Sequence, residues 1–317
     1  MKVNLGTIFL TMLGGAFGTF DKELHAKYLN MPRSEFVEYF NNQNNSWKIG
    51  QYSLNITFTP MDYQVPPDFN KNYTLPSLRS FERIDLPIQF DARIKWPHCR
   101  TIGEIYNQFD CDSCWAHGAA NTASDRICIH AHKQAVLSEQ DLECAHPNAT
   151  ICHKGSAWEG FQFWKANGLV TRNCKPYHPE NLHQRKCSQI CERDNNRRRY
   201  LEDKHYAEIV YQIDPRNVNE IKKELFFMGP IEATIYIYQD FYDLKNGYTG
   251  GIYEHKFGKH LYLHSVRIIG YGVENGIEFW LVANSWGRSF GENGFFRIKI
   301  FQEYMFRSMS SGLPRKV

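Results

Sequence analysis

Cys114 heads a run in which Trp115, Ala119, Ala123 and Ile127 recur at helical spacing, so the sequence predicts a helix whose first turn carries a thiol. A thiol attacks a carbonyl as the thiolate. The partial positive charge and free N–H groups of a helix N-terminus favour that anion. A base is also needed, and His264 opens a β-rich run that leads into the pair Asn275-Gly276, a strong two-residue hairpin signal. Folding that hairpin places His264 roughly opposite Gly287, with Asn284 near it at the same end. An Asn side-chain oxygen accepts an imidazole N–H and so fixes both tautomer and ring angle. Gln108, in the loop before Cys114, could donate its amide to a developing oxyanion beside the Cys114 N–H. The chemistry of such a set is nucleophilic acyl transfer. Taken singly each residue has a plainer reading: Cys114 as half of a cystine, His264 as a surface histidine, Gln108 as a solvated loop residue.

The elements that must position these residues are legible around them. Helices are predicted at 157–166, stopped by Gly168, and at 218–228, where Val218, Ile221, Leu225 and Met228 share a face that ends at Gly229-Pro230. Strands rich in β-branched and aromatic residues are predicted at 231–238, 265–271 and 278–283. The front half of the body is therefore mainly helical and the back half mainly sheet. Ahead of it, 19–84 is polar and broken by Val65-Pro66-Pro67 and Leu75-Pro76, with a helical pattern at 34–40 carried by Phe36, Val37 and Phe40.

The 317 residues are 42% hydrophobic and 15% aromatic, enough for a sizeable core. A net charge of +3 gives no electrostatic case for nucleic acid, and Arg197-Arg198-Arg199 reads as a solvated loop. Residues 1–18 read as a signal peptide: Lys2, an apolar stretch from Leu5 to Phe17 too short to span a bilayer, then Ala16-Phe17-Gly18 as a small-residue cleavage site. No later segment is apolar and long enough to cross a membrane. Sequons at Asn44, Asn55, Asn72 and Asn148 agree with secretion. All nine cysteines lie after Leu86, which separates a removable front piece from a disulfide-stapled body. Nine is odd, so full pairing leaves one thiol. Cys111-x-x-Cys114 and Cys187-x-x-x-Cys191 fit no common zinc spacing, and no metal is expected.

The segment Gln108-Phe109-Asp110-Cys111-Asp112-Ser113-Cys114-Trp115 resembles the nucleophile segment of the papain family, and Asn284-Ser285-Trp286-Gly287 is similar to its orienting-Asn segment. His264 follows Cys114 by 150 residues, within the family's separation. The cathepsin B branch is resembled by Leu86 to Arg93, Ser124 to His130, Asp203 to Tyr206, Gly272 to Gly276 and, in the front piece, Asn44 to Trp47. The resemblance implies an α+β, papain-like fold of two domains, helical on the left and β-rich on the right. It implies an order of signal peptide (1–18), propeptide (19–84) and peptidase domain (85–317). It implies the bridges Cys99–Cys128, Cys111–Cys152, Cys144–Cys187 and Cys174–Cys191, which leave Cys114 as the odd thiol.

The function so implied is a cysteine endopeptidase made as a zymogen, secreted or lysosomal, needing no cofactor. Peptide or protein substrates, possible cystatin-type inhibitors and a monomeric state go with it. Cys114, His264, Asn284 and Gln108 would be catalytic, and Asp112, Lys154, Gly155 and Trp286 would meet substrate. Departures surround the cleft. Phe109, Asp112 and Lys154 stand where glycine is usual, Tyr262-Leu263 precede His264 where cathepsin B has glycines, and Phe290 replaces a shielding tryptophan. Between Cys174 and Cys187 there is no His-His pair of the kind that lets an occluding loop capture a terminal carboxylate. These departures keep a second reading open, an impaired homologue that binds peptides or inhibitors.

Overall fold

The computed structural model describes residues 20–51, 85–144, 152–178, 187–193, 195–243, 247–302 and 305–315. The expected signal peptide at 1–18, the breaks at Pro66 and Pro76, the sequons at Asn55, Asn72 and Asn148, and the sequence 179–186 lie outside them. The front piece supplies α1 (Lys22–Asn30), α2 (Arg33–Asn42) and β1 (Trp47–Gly50). The helix expected at 34–40 is α2, and its stripe of Phe36 and Phe40 is buried. Asp21 caps α1 by accepting the N–H of Leu24 at 2.9 Å.

The body begins with β2 (Phe90–Asp91) and α3 (Ala92–Lys95), followed by α4 (Cys114–Ala131), α5 (Glu139–Glu143), α6 (Ala157–Asn167) and α7 (Arg197–Glu202). Then come β3 (Ala207–Ile213), α8 (Val218–Phe227), β4 (Ile231–Tyr238), β5 (Gly247–Tyr253), β6 (His260–Glu274), β7 (Ile277–Ala283), β8 (Phe295–Lys299) and β9 (Phe306–Pro314). The expected helices and strands are all present. The arginine run is solvated as expected, but it is a short helix rather than a loop, because Asn196 caps it by accepting the Arg199 N–H.

The sheet runs β1-β5-β8-β7-β6-β4-β9-β3, with β2 joined to β6. Neighbours are antiparallel except β5 and β8. Two large apolar cores result among the described residues. One gathers the sheet with α1, α2 and β1, and the other gathers α4, α5 and α6 around Trp115, Phe161 and Trp164. Helix α4 lies on the seam, packed on β4, β6 and β9 on one side and on α5 and α6 on the other.

Two features press α4 onto β6. Gly118 has no side chain: a Cβ there would stand 2.1 Å from Ser265 Oγ and 3.1 Å from Glu232 Cγ. Buried ion pairs then fix the far end. Asp125 accepts from Arg267 on β6 at 2.6 Å, and Arg126 donates to Glu224 on α8 at 2.8 Å. Breaking one partner of such a pair strands a buried charge, so they hold register even if their net contribution is small.

Gly118→Ala is expected to overpack this contact, costing about 1–3 kcal/mol and lowering the thermal midpoint by several degrees. The peptidase activity expected from the sequence should fall further than the loss of folded protein explains. Calorimetry and kcat/KM on one preparation check this; an alanine variant as stable and active as its parent refutes the close-packing argument.

Candidate active site

Cys114 is the first residue of α4, and it is the free cysteine beside bridges Cys99–Cys128, Cys111–Cys152, Cys144–Cys187 and Cys174–Cys191. All four expected bridges are formed. The Cys111–Cys152 bridge ties the loop before α4 to the segment entering α6. The Cys114 thiol is buried, and the backbone N–H groups of Ser265 and Trp115 face it closely enough to favour its anion. Ser265 is the residue after His264, so the thiol lies against the strand that carries the base.

His264 lies within β6, which starts earlier than expected because the stretch from His260 pairs with β4 instead of β7. The hairpin at Asn275-Gly276 is present, both residues having positive φ, 52° and 78°. Its register slips by one between Ile268 and Gly270 and the pairing ends at Arg267–Ala283, so His264 has no partner on β7 and pairs instead with Ile235 of β4. The slip occurs where β2 crosses, at a glycine whose Cβ would lie 2.3 Å from Phe90 O.

His264 Nε2 donates to Asn284 Oδ1 at 2.7 Å, and the same oxygen accepts the Ser285 N–H at 2.8 Å. The ring is thereby set with Nδ1 free of any partner among the described residues. Trp286, expected to meet substrate, is wholly buried. Its ring stacks on His264 at 4.6 Å and 29°, which puts it behind the imidazole instead of on the cleft surface. Phe290 stands edge-on to Trp286 at 4.8 Å and completes that wall with an aromatic other than tryptophan.

Gln108, expected to hold the oxyanion rather than to be a solvated loop residue, is fully buried and held at three points. Its Nε2 donates to Cys111 O at 2.8 Å, its Oε1 accepts from Ser285 Oγ at 2.6 Å, and its backbone N–H donates to Ser285 O at 2.9 Å. Tyr177 adds a fourth tie, donating to Gln108 O at 2.8 Å. Gly155 lies flat on Trp115, where a Cβ would come within 2.3 Å of the indole. Asp112 is half-buried and Lys154 exposed. Phe109 has φ of 52°, the left-handed region that favours glycine, which is what the family pattern supplies there. Sequence reasoning missed Tyr177, Ser113, His117, Asn121 and Ser285, since a lone polar residue carries no spacing signal.

Burial dominates the electrostatics. It pushes the Cys114 thiol up to about 12, helped by the charge of Asp112, against the pull of the Ser265 and Trp115 N–H groups. It lowers His264 to about 4, against the bond to Asn284. Thiol and imidazole are both neutral in this closed state. Glu143 is raised to about 8 by burial despite the Cys152 N–H at 2.6 Å, and Glu232 to about 7. The clusters His98–Cys99–Cys128 and Cys111–Glu143–Cys152 each surround a disulfide, whose sulfurs are no longer thiolate ligands.

A thiol at a helix N-terminus beside an oriented imidazole, between a helical and a sheet core, defines a cysteine-dependent hydrolase. Residues 86–311 match the model of the papain family of cysteine proteases. Cathepsin B-like cysteine proteinase 3 of Caenorhabditis elegans is 37% identical over 297 residues, which cover 84% of this chain and 78% of that protein. The gut-specific cysteine proteinase of the same organism is 38% identical over 232 residues, 67% of this chain and 68% of that one. The solved structure of procathepsin B S9 from Trypanosoma congolense superposes with a TM-score of 0.70 at 26% identity, covering 89% of this chain and 98% of that one. The chain belongs to the papain family of cysteine proteases. Within it, it is cathepsin B-like, with peptides or proteins as substrates and the fold of a zymogen.

The raised carboxyls set a pH dependence. Glu143 and Glu232 have folded-state values above the ordinary 4.5, so the folded protein keeps protons that the unfolded chain releases. Their contribution is complete below about 4.5 and is lost as pH rises through about 7 to 8. His264 acts on the other side, costing stability as pH falls from about 6.5 towards 4. The thermal midpoint is therefore expected to fall between pH 6.5 and 8.5. Glu143→Gln, which keeps the acceptor for Cys152, is expected to flatten that fall by about 1–3 kcal/mol. Parallel midpoint curves for variant and parent rule the assignment out.

Proposed function

We propose that the chain is a cysteine endopeptidase in which Cys114 attacks the peptide carbonyl. His264 takes the thiol proton on Nδ1 and returns it to the leaving amine, and Asn284 orients the ring. The oxyanion is held by the Cys114 N–H and by the Gln108 amide hydrogen not given to Cys111. The observation that carries this reading is the His264–Asn284 bond, which uses Nε2 and leaves Nδ1 for the thiol. Asp112, Lys154 and Gly155, beside the Cys111–Cys152 bridge, would line the non-primed side.

The neutral thiol and imidazole describe an enzyme at rest. Opening the site to water weakens the burial that keeps both uncharged, and the helix N-terminus and the two N–H groups then favour the thiolate. We read 1–18 as a signal peptide, 19–84 as a propeptide and 85–317 as the peptidase domain, secreted or lysosomal, glycosylated, monomeric and open to cystatin-type inhibitors. The seating of 20–51 on the sheet supports the propeptide assignment. The impaired-homologue reading is favoured by one observation, the left-handed backbone at Phe109.

An epoxide or vinyl-sulfone thiol probe separates the two. The chain trimmed near Ile84 to Leu86 is expected to be labelled at Cys114 at least tenfold faster at pH 6 than the full-length chain. Equal rates would refute autoinhibition, and no labelling of the trimmed form would favour the impaired homologue. A second comparison concerns the primed side. With no His-His pair between Cys174 and Cys187, a peptide with an amidated C-terminus is expected to be cleaved within about threefold of its free acid. A strong preference for the free acid would make the enzyme a dipeptidyl carboxypeptidase instead.

A further inference from the structure

Helix α4 carries a second imidazole at its first turn. His117 is 1% exposed, and its Nδ1 lies 3.1 Å from Ser113 O and 3.3 Å from Ser113 Oγ. A carbonyl only accepts, so Nδ1 bears the proton and Nε2 of the neutral ring is an acceptor. Burial, which disfavours the charged ring, agrees with neutrality. The donor sense then continues outward. Ser113 Oγ lies 3.0 Å from the Tyr177 hydroxyl, which in turn donates to Gln108 O.

On its other side His117 lines a small cavity, about 10 Å³, between α4 and the strands β6 and β7, with Asn121, Ser265, Asn284 and Ser285 also on its wall. That volume suits about one water molecule. Three buried polar atoms of its lining residues have no protein partner among the described residues: His117 Nε2, Asn121 Oδ1 and Asn284 Nδ2. Their chemistry is complementary. Asn284 Oδ1 already accepts from His264 and Ser285, which fixes its amide so that Nδ2 brings hydrogens. His117 Nε2 and Asn121 Oδ1 are acceptors. A single water that accepts from Asn284 and donates to the other two satisfies all three, and no atom of that water is left with the wrong partner.

We propose that His117 is a positioning residue of the peptidase site, joined through one buried water to Asn284, and that this junction holds the Asn284 amide in the orientation that presents Oδ1 to His264. The proposal rests on the catalytic roles proposed above for His264 and Asn284. It adds a route, His117–Ser113–Tyr177, by which the first turn of α4 ties the oxyanion loop to the orienter of the base.

The test uses the processed enzyme. His117→Phe fills the same space and keeps the edge-on contact with Tyr177, 4.8 Å between rings, but removes both nitrogens. Its kcat is expected to fall about tenfold with KM within about twofold. The His264 Nε2 proton, followed by NMR in histidine-labelled protein, is expected to shift and to exchange faster. His117→Gln, which can still meet the water, is expected to recover most of the lost kcat. A His117→Phe enzyme with parental kcat and an unaltered His264 proton overturns the proposal. So does a kcat loss matched by the loss of thiol-titratable sites. If that variant does not fold, Asn121→Ala carries the test through the same water: kcat is expected to fall three- to tenfold, and a parental value overturns the proposal. A high-resolution crystal structure with no ordered water in hydrogen-bond reach of His117 Nε2 and Asn284 Nδ2 also overturns it. A parent enzyme that fails to turn over peptide would instead count against the catalytic roles themselves.

Discussion

The close approach of α4 to β6 governs the rest of the molecule. A helix and a strand normally keep a layer of side chains between them, but at Gly118 the helix backbone meets Ser265 directly. That contact lies one helical turn past Cys114 and one residue past His264, so the spacing of helix and sheet sets the spacing of thiol and imidazole. The paired charges Asp125–Arg267 and Arg126–Glu224 sit farther along the same helix and oppose sliding or rolling. The reacting groups thus owe their placement to rigid elements on two sides of a seam, and the loops around them need only be tethered.

Those tethers form a closed polar unit beneath the cleft. Gln108, Ser285, Asn284 and His264 are linked directly, and Ser113 and Tyr177 brace the oxyanion loop from the helix side. Buried polar groups of this kind are stabilising only when satisfied, which makes the site intolerant of partial repair. The aromatic wall of Trp286 and Phe290 keeps water from the imidazole's far side, so the Asn284 bond is made in an apolar setting where it is stronger.

Much of this was legible in the sequence. The periodic runs gave α4, α6, α8 and β4 because each buries one face against a core, and Asn275-Gly276 gave the hairpin because both residues tolerate positive φ. The nucleophile, base and orienter were legible because chemistry restricts their types and spacing. The one-residue slip in β6 was not, since a bulge arises from the crossing of β2, a contact distant in sequence. The burial of Gln108 and Trp286 escaped notice for the same reason: local pattern does not report which loop another loop will cover. Nor does it single out His117, one histidine among 13, whose meaning depends on the cavity behind it.

The front piece does more than rest on the body. Strand β1 adds to strand β5 from Trp47–Gly251 and Lys48–Gly250 to Gly50–Gly247, and Phe36, Phe40 and Trp47 share one aromatic cluster with Phe257. On the propeptide reading proposed above, loss of the front piece would change the sheet's boundary, β5 passing from an interior strand to an exposed edge. Unpaired edges invite association with other chains. Here the newly bared edge is glycine-rich and irregular, with Gly251 at φ of 91° and its N–H already turned inward to Glu292 at 3.0 Å. An edge so built, with a glycine backbone and an inward-turned N–H, offers a poor template for a further strand.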